Sequence, residues 1–478
     1  MAVNEGEVGR AVRRDSPWWT NNTWAAQDRD LRAASASGID YRPTPLANLS
    51  PNGLYLLYGP RRVGKTVAIK RKIVELLESG VDPQRICRVS VDGWRANRLG
   101  TLYDYVSRIA AGSVGRTPRY WFIDEITATT GDWWFVVKDL RDNTPLGDDC
   151  VVLTGSSNAD LDAAVKALAG RRGSTEHADR TLLPMSFASF CRVAGFGNLP
   201  DVDLRPDELC AAHALDTWHL LEAHTDTLSI AWQAFMEVGG YPQAVADWTR
   251  RSHVDESTWR ALWDVVRGEA LTKGFTEPAL LAVLSGLSER IAAHVVQQTL
   301  AADADLPPAA LSDRLDALVQ SFLLWRCPAG GANRLPDLAR RQKYYFIDSM
   351  PARLAELVHG SPPVDIGRIA EQQLGVQLLQ WNERVRPGST RTSGWITHHR
   401  TDRNEVDFAG RCADNGEPMT AIESKYSSSS WRREALTLRN SLGGGLLATR
   451  DVLDIERDES VWAVPVSMIA WALTASGH

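Results

Sequence analysis

Short apolar runs alternate with longer amphipathic stretches from about residue 50 onwards. Four of these runs have the length of a buried strand: Leu54–Tyr58, Ile86–Val91, Tyr120–Asp124 and Cys150–Thr154. The stretches between them have the length of a helix: Thr66–Ser79, Leu99–Ala111 and Asp132–Asp142. Because strands and helices alternate at this spacing, the pattern predicts a mostly parallel sheet with helices on both faces.

The strand signals fade after Pro184. Helical periodicity dominates residues 206–304, as in Leu262–Ala270 and Ala279–Thr299. A helix followed by two strands, at Pro307–Val319, Phe322–Cys327 and Lys343–Ile347, is typical of a winged helix-turn-helix. Beyond the prolines at 362 and 363 we expect a helix at Ile366–Trp381, several strands, and a helix from Ser430 to Ser441.

Composition and charge exclude several classes of protein. The 478 residues are 44% hydrophobic and 23% charged, which is ordinary for a globular chain and excludes wholesale disorder. The net charge of −6 excludes a globally basic surface, so any contact with nucleic acid must come from local patches. No apolar run approaches the ~18 residues of a membrane helix, and the N-terminus lacks the apolar core of a signal peptide. We therefore expect a cytoplasmic protein with no membrane partner.

The cysteines and histidines do not suggest a zinc site. The six cysteines lie far apart with no CxxC pair, and the ten histidines show no HxxxH or HExxH spacing. Buried free thiols are the expected state of the cysteines.

The most specific motif fits the phosphate-binding pattern GxxxxGK[ST] and is preceded by an apolar strand and followed by a helix. It consists of Gly59, Pro60, Arg61, Arg62, Val63, Gly64, Lys65 and Thr66. Its glycines permit a turn whose backbone N–H groups surround a phosphate, and the helix N-terminus adds partial positive charge. Lys65 is expected to reach the β- and γ-phosphates, and Thr66 to bind Mg²⁺. The alternative, a chance glycine loop, is disfavoured by the order of strand, loop and helix.

A second apolar strand ends in two acids, Asp124 and Glu125. Asp124 is expected to hold Mg²⁺, and Glu125 to orient and deprotonate an attacking water. The adjacent second carboxylate favours hydrolysis over phosphate transfer to another acceptor. A solvated acid pair at a strand end is the alternative.

Two further positions are candidates near the transferred phosphate. Ser156 follows the next strand, where a hydroxyl could sense the γ-phosphate or, equally, cap a helix. Arg171 and Arg172 lie in a loop, where one guanidinium could stabilise developing charge on the phosphoryl group or both could simply be solvated.

The C-terminal segment holds spaced carboxylates that end in a lysine. Asp407 lies in a short strand-like run, and Glu423 and Lys425 face the same side of a later strand because they are two residues apart. Asp407 and Glu423 could bind Mg²⁺ or Mn²⁺, with Lys425 orienting a water that attacks a phosphodiester. A solvated strand face and a nuclease-like site without activity are the two alternatives.

The motifs GPRRVGKT, WFIDEIT, VLTGSSN, AGRR with LPMSFASF, and GGYPQ occur in this order over about residues 50–478. This order resembles prokaryotic AAA+-superfamily ATPases fused to a C-terminal PD-(D/E)XK nuclease-like domain. The resemblance implies that ATP and Mg²⁺ are the cofactors. It favours Arg171 over Arg172 as the candidate for the arginine finger or sensor. It also implies that Gly240 and Pro242 lie near the nucleotide, and that Glu371 is the upstream acid of the nuclease-like site.

The predicted fold is therefore α/β: a P-loop NTPase parallel sheet with a helical lid, a winged-helix connector and an α/β restriction-endonuclease-like domain. The predicted segments are an N-terminal arm that packs by its tryptophans (1–45), the P-loop ATPase core (46–184), the helical lid (185–252), the helical and winged-helix domain (253–360), and the nuclease-like domain (361–478).

Two local basic stretches could contact DNA or RNA phosphates, although each could equally be a solvated loop. Residues 361–478 as a whole carry 13 Lys and Arg against 15 Asp and Glu, so no general attraction is expected. One stretch is Arg384, Arg386, Arg391, Arg400 and Arg403 with His398 and His399, and the other is Arg334, Arg340, Arg341 and Lys343.

The sequence thus predicts an ATP-hydrolysing protein whose C-terminal domain cleaves nucleic acid under nucleotide control, as in a toxin or defence nuclease. One alternative is a nucleotide-controlled switch or scaffold whose inactive nuclease-like domain binds a protein or DNA partner. A P-loop kinase is another, disfavoured by Glu125. A protein partner or an oligomer, with the arginine acting in cis or in trans, is compatible with the sequence.

Overall fold

The computed structural model describes residues 2–109, 118–157, 161–175, 177–391, 394–401, 404–427, 431–455 and 460–475. Asn158 and Arg403, named above among the candidate motifs, lie outside the described residues, as does the Arg391 side chain. The chain divides into two compact units, residues 1–182 and 183–478. The boundaries predicted near residues 252 and 360 both lie inside the second unit.

The first unit is built from alternating strands and helices. Its described helices are α1 (Ala2–Asp15), α2 (Trp24–Gln27), α3 (Arg29–Ala36), α4 (Lys65–Glu78), α5 (Arg98–Ile109), α6 (Trp133–Asn143) and α7 (Leu161–Ala167). Its described strands are β1 (Leu54–Tyr58), β2 (Ile86–Ser90), β3 (Tyr120–Asp124), β4 (Cys150–Thr154) and β5 (Asp179–Thr181).

The five described strands of this unit form one parallel sheet in the order β2-β3-β4-β1-β5. The predicted parallel sheet is therefore confirmed, and the four predicted strands agree with β1–β4 to within a residue at their ends. Strands β1 and β4 are buried at every position, because a sheet covered on both faces has no solvent side and reads as a continuous apolar run. In a parallel sheet the carboxyl ends of the strands share one edge, so the loops after β1, β3 and β4 lie side by side.

The N-terminal segment packs along β2, which is an edge strand. The Ser16 hydroxyl donates to the Arg88 carbonyl oxygen at 2.8 Å and accepts from the Arg88 N–H at 2.9 Å. Trp18 and Trp24 are buried, and the Trp18 indole N–H donates to the Ile86 carbonyl oxygen at 2.9 Å. The predicted packing by aromatic side chains is confirmed, and it satisfies backbone groups that an open sheet edge would expose.

The second unit contains the remaining elements. Its described helices are α8 (Phe187–Ala194), α9 (Ala214–Glu222), α10 (Thr225–Val238), α11 (Pro242–Arg251), α12 (Glu256–Thr272), α13 (Glu277–Glu289), α14 (Gln297–Asp303), α15 (Pro308–Gln320), α16 (Ser349–Ala352), α17 (Leu354–His359), α18 (Ile366–Val385), α19 (Trp431–Leu442) and α20 (Val466–Thr474). Its described strands are β6 (Leu324–Cys327), β7 (Ala329–Gly330), β8 (Pro336–Asp337), β9 (Lys343–Phe346), β10 (Ile396–Arg400), β11 (Glu405–Gly410), β12 (Ile422–Lys425), β13 (Gly445–Thr449) and β14 (Val461–Pro465).

The helical periodicity of Ala279–Thr299 does not correspond to one continuous helix. The structure has two helices there, α13 and α14, separated by residues 290–296. Ala292 has a φ of 65°, which an α-helix cannot accommodate, and His294 forms an isolated antiparallel bridge with Lys343 of β9. The chain leaves the helix because this short segment pairs with a strand instead.

The helix and two strands predicted for residues 307–347 are present as α15, β6 and β9, and the two strands pair antiparallel. The loop between them also contains β7 and β8, which add to the edge of a larger sheet. In the described residues that sheet has the order β14-β13-β12-β11-β10-β7-β8. Within it β10, β11 and β12 are antiparallel neighbours, whereas β12, β13 and β14 run parallel.

Helix α18 is buried along most of its length and carries polar side chains into the interior. Gln372 and Gln377 are fully buried, and each accepts a backbone N–H through its side-chain oxygen, from Phe346 at 2.9 Å and Phe187 at 2.8 Å. These amide bonds satisfy backbone groups that would otherwise be buried without partners. In the described ranges, no helix combines the length and apolar character needed to span a membrane.

Candidate functional site

The P-loop follows β1 as a turn of unusual backbone conformation. Gly59 has a φ of 145°, and a Cβ there would lie 2.1 Å from the Leu182 carbonyl oxygen, so only glycine fits. Gly64 has a φ of 100° and immediately precedes α4, and a Cβ there would meet no heavy atom within 4 Å. Gly64 thus ends the loop at the N-terminus of a long helix, which is the arrangement expected of a phosphate site.

Lys65 is buried, and its ammonium lies against the loop itself. Its Nζ donates to the carbonyl oxygens of Gly59 at 2.6 Å and Pro60 at 2.9 Å. Val63 is fully buried and anchors the loop, whereas Arg61 and Arg62 are exposed, with Arg62 at a φ of 69°. The lysine is thus held at the turn where a phosphate would be received.

Asp124 ends β3 and is 2% exposed. Its Oδ2 accepts from the Thr66 hydroxyl at 3.1 Å and from the Arg88 guanidinium at 2.6 Å, and its Oδ1 accepts from the Thr154 hydroxyl at 2.5 Å. Burial alone would raise the pKa of Asp124, but the charge of Arg88 and these hydrogen bonds outweigh it and lower the pKa. Asp124 is therefore a carboxylate whose charge is balanced by Arg88.

Glu125 follows with a φ of 59°, a strained conformation for a non-glycine residue. Its N–H donates to the Thr154 hydroxyl oxygen at 3.1 Å, so Thr154 links the two acids. Its Oε2 is buried with no hydrogen-bond partner among the described residues. Burial, opposed by Lys65 and assisted by Asp124, raises the pKa of Glu125 above its ordinary value. A half-buried carboxylate with a free oxygen and a raised pKa suits a general base.

The side chains at this edge fit a magnesium ion. The Thr66 hydroxyl and the Asp124 carboxylate lie within 3.1 Å of each other, and hydroxyl and carboxylate oxygens are the ligands that Mg²⁺ prefers. Thr66 and Asp124 would therefore hold the ion, which would neutralise phosphate charge.

Ser156 and Arg171 also belong to the first unit. Ser156 is buried two residues beyond β4. The Arg171 guanidinium pairs with Asp142 of α6 at 2.6 Å and donates to the Ala169 carbonyl oxygen at 3.0 Å. Their roles at the phosphate remain predictions.

Gly240 and Pro242 belong to the second unit. The Gly240 N–H donates to Asp348 Oδ2 at 2.7 Å, and its carbonyl oxygen accepts from the Met185 N–H at 2.8 Å. Pro242 occupies the first turn of α11, where its fixed φ is favourable. The GG-Tyr-Pro turn thus joins two other segments of its own unit, and its proximity to the nucleotide stays a prediction.

The predicted acids of the C-terminal segment gather around a buried lysine. Lys343 is fully buried, and its Nζ lies 2.8 Å from Asp407 Oδ1, 3.3 Å from Glu371 Oε1 and 2.7 Å from Glu405 Oε1. Burial would lower the pKa of Lys343, but Asp407 and the other acids raise it well above its usual range. We call Lys343, Glu371, Glu405 and Asp407 the lysine–carboxylate cluster.

Glu423 and Lys425 lie beside this cluster on β12. Their side chains pair at 3.3 Å, and the Ser424 N–H between them donates to Asp407 Oδ2 at 2.9 Å. Burial and the charge of Asp407 raise the pKa of Glu423, whose Oε2 is buried with no hydrogen-bond partner among the described residues. The structure therefore brings Glu371, Asp407, Glu423 and Lys425 together and adds Lys343, which contacts Glu371 and Asp407.

Two of the side chains expected to contact nucleic-acid phosphates are buried, so that expectation is wrong for them. Lys343 belongs to the cluster, and the His398 ring is buried with its Nδ1 3.2 Å from the Cys327 carbonyl oxygen. Arg334 is also engaged, donating to the Met419 carbonyl oxygen. Arg340 and Arg400 are exposed. The two basic stretches are therefore smaller at the surface than their composition suggests.

Sequence reasoning missed Arg88, Lys343 and Thr154 as parts of the two sites. Arg88 stands among apolar residues in β2, and a lone cation in such a run is the signal that could have marked a buried partner. Lys343 follows Arg340 and Arg341 and gives no such signal. The cysteines follow the prediction: all six are free, five buried and Cys210 half-buried.

Comparisons with known proteins agree with the first site. A family model described as an AAA domain matches residues 51–191, and a domain of unknown function, DUF8612, matches residues 230–355. No curated protein gives a significant match.

Matches among solved structures include the ORC1 protein of Aeropyrum pernix in complex with DNA, at 14% identity over 69% of this chain and 91% of that one, with a TM-score of 0.25. RuvB of Thermotoga maritima matches at 15% identity over 58% and 82%, with a TM-score of 0.26. Cdc6p of Pyrobaculum aerophilum matches at 12% identity over 65% and 90%, with a TM-score of 0.23. The segment at residues 51–191 that contains the P-loop and the acid-ended strand is therefore similar to an AAA domain.

Proposed function

We propose that the protein binds and hydrolyses ATP with Mg²⁺ at the edge formed by β1, β3 and β4. The observation that carries this proposal is the convergence of Lys65, Thr66, Asp124 and Glu125 at that edge, with hydrogen bonds linking Thr66 to Asp124, and Asp124 to Glu125 through Thr154.

Each residue then has a defined role. The backbone of the P-loop and Lys65 bind the phosphates, and Lys65 exchanges its bonds to loop carbonyl oxygens for bonds to phosphate oxygens. Glu125 takes the proton from the attacking water, which its raised pKa and free oxygen favour. Bound Mg²⁺ supplies positive charge beside the phosphates. Arg171 is the candidate for stabilising charge that develops on the phosphoryl group, in cis or from a neighbouring copy.

Phosphate release from ATP with Mg²⁺ and no added acceptor tests this proposal. We expect release by the wild type and its loss in Lys65→Ala. The matched control is Lys166→Ala, an exposed lysine on α7, which should hydrolyse at the wild-type rate. Release that continues unchanged in Lys65→Ala would refute the ATPase proposal, and release only with an added acceptor would indicate a kinase.

For the second unit, the placement of the acids and Lys425 supports phosphodiester cleavage, because they lie together on α18, β11 and β12. A Mg²⁺-dependent nuclease controlled by the nucleotide state therefore remains a candidate function.

A specific observation favours the second candidate, a nucleotide-controlled switch or scaffold. The Lys343 ammonium contacts the carboxylates of Glu371 and Asp407, which are two of the side chains expected to bind the metal. An inactive cluster of this kind would stabilise the unit while its surface binds DNA, RNA or a protein partner.

Incubation with plasmid, linear DNA and RNA, with Mg²⁺ and with or without ATP, distinguishes the two candidates. A nuclease predicts degradation that is lost in Glu423→Ala and Lys425→Ala and retained in Glu417→Ala, an exposed acid of the same unit. A scaffold predicts no degradation attributable to Glu423 or Lys425. Including Lys65→Ala shows whether cleavage depends on the nucleotide site.

A further inference from the structure

Lys343 makes a complete set of contacts within the lysine–carboxylate cluster. An ammonium group has three N–H donors, and three carboxylates lie within 3.3 Å of this one: Glu371, Glu405 and Asp407. The side chain is 0% exposed. The charge of this lysine is therefore compensated entirely by protein groups.

The carboxylates are themselves held in place by other donors. The Tyr345 hydroxyl donates to Glu371 Oε1 at 2.6 Å, the Ser424 N–H donates to Asp407 Oδ2 at 2.9 Å, and His294 Nε2 lies 2.8 Å from Glu405 Oε2. The acids come from α18 and β11, whereas Lys343 comes from β9. The cluster thus joins three elements through one buried cation.

This arrangement does not fit a divalent ion. Glu371 and Asp407 use their Oε1 and Oδ1 atoms for the ammonium, and an ion bound to those oxygens would occupy the position of the Lys343 Nζ. Glu423, the third predicted ligand, pairs with Lys425 through its Oε1, so that only its buried Oε2 has no hydrogen-bond partner among the described residues. Among the described residues, no group of three or more His, Cys, Asp or Glu side chains is arranged to hold a metal.

We propose that the Lys343 ammonium is the resident cation of the second unit and takes the place of the divalent ion at Glu371 and Asp407. The cluster then needs no metal, and Lys343 fixes β9 against α18 and β11. This inference is independent of the ATPase proposal, because it concerns a different unit and different residues.

The physical consequence is a reciprocal relation between the lysine and divalent ions. Removing the ammonium leaves buried carboxylates without a countercharge, which is strongly destabilising. Carboxylate oxygens also suit Mn²⁺ and Mg²⁺, so an ion can enter the space that the ammonium leaves. A variant without the lysine should therefore acquire a dependence on divalent ions that the wild type lacks.

The first test measures Mn²⁺ binding to the full chain without nucleotide, by electron paramagnetic resonance. We expect the wild type and Asp407→Asn to bind the same amount of Mn²⁺, since Asp407 is engaged by Lys343. One equivalent of Mn²⁺ bound by the wild type and lost in Asp407→Asn would overturn the proposal. This measurement does not require any lysine variant to fold.

The second test measures the melting temperature of Lys343→Met with and without Mn²⁺. We expect a decrease of roughly 5–10 °C without metal and a recovery of at least half of it with Mn²⁺, against no Mn²⁺ effect in the wild type. The matched control is Lys425→Met, whose lysine is 41% exposed and should show no recovery. An unchanged melting temperature in Lys343→Met, or an equal Mn²⁺ effect in the wild type, would contradict the inference. The double variant Lys65→Ala/Lys343→Met should show the same recovery of the melting temperature with Mn²⁺. That result would show that the Mn²⁺ effect does not depend on the P-loop site, whether or not the ATPase proposal holds.

Discussion

Replacing Arg88 by methionine should destabilise the first unit far more than loss of an ordinary ion pair. The Arg88 guanidinium lies 2.6 Å from Asp124 Oδ2, and the two side chains are 10% and 3% exposed. Methionine preserves much of the apolar stem but leaves Asp124 without its countercharge. Removing one partner of a buried pair typically costs about 3–5 kcal/mol. The hydrogen bonds from Thr66 and Thr154 remain, so we expect about 3 kcal/mol.

The loss should depend on pH in a defined direction. In the wild type the pKa of Asp124 is lowered from its ordinary value of 3.8. The ionised carboxylate therefore stabilises the folded state fully above pH 3.8, and this contribution is lost only as the pH falls through the lowered pKa. Without Arg88, burial is less opposed and the pKa of Asp124 rises. The buried charge then costs stability at neutral pH, and protonation on acidification removes that cost. The difference between Arg88→Met and the wild type should be largest near pH 7 and should shrink as the pH falls.

Urea unfolding at pH 7 and at pH 5, without nucleotide or Mg²⁺, tests this reasoning. Arg171→Met is the matched control, because the Arg171–Asp142 pair is solvent-accessible and should contribute far less to stability than the buried pair. The double variant Arg88→Met/Asp124→Asn should recover part of the loss, since the uncompensated charge is gone. An Arg88→Met variant as stable as Arg171→Met, or a loss that is the same at both pH values, would refute the argument.

Three other outcomes are expected. Glu125→Gln should retain ATP binding but hydrolyse ATP about 10²–10⁴-fold more slowly than the wild type. The acid limb of the wild-type pH–rate profile should lie above pH 4.5, because the pKa of Glu125 is raised. Equal rates of hydrolysis in the two proteins would exclude Glu125 as the base. Gly240→Ala should lower the free energy of unfolding in urea by about 1–3 kcal/mol, because the new Cβ would lie 2.4 Å from the Met185 carbonyl oxygen. In the control Gly268→Ala on α12, the new Cβ meets no atom within 4 Å, so this variant should be as stable as the wild type or more stable. Burial raises the pKa of Asp348 to about 7, so the protonated carboxyl stabilises the folded state fully below pH 3.8, and this stabilisation is lost as the pH rises to about 7. Asp348→Asn should therefore remove roughly 2–3 kcal/mol of the difference in unfolding free energy between pH 5 and pH 8. An equal difference in the wild type and the variant would contradict the assignment.

The parts of the site that the sequence predicts are those with local signals. The P-loop is contiguous, and its glycines are required by a turn that contains both Gly59 and Gly64. Asp124 and Glu125 follow directly on an apolar strand. In these segments chain neighbours are also spatial neighbours, so their placement does not depend on long-range pairing.

The buried cations were not predictable in this way. Arg88 meets Asp124 because β2 lies beside β3, with Ser90 opposite Asp124, and this register is set by the sheet as a whole. Lys343 reads as one member of a basic stretch until β9 is seen to lie against α18. The helical periodicity of the sequence likewise continues through residues 279–299, although the helix is broken there. It continues because Ile291 and Val295, which lie in the break, are apolar and buried. Burial alone does not distinguish one long helix from two short ones.

The polar interior of α18 has a practical consequence for dividing this protein. A fragment that began at residue 361 would keep the amide side chains of Gln372 and Gln377 but discard the backbone groups of Phe346 and Phe187 that donate to them. It would also discard Lys343 and leave its acids behind. Attempts to produce the C-terminal segment alone should therefore yield insoluble or partly unfolded material, and a shortened version should instead begin near residue 183.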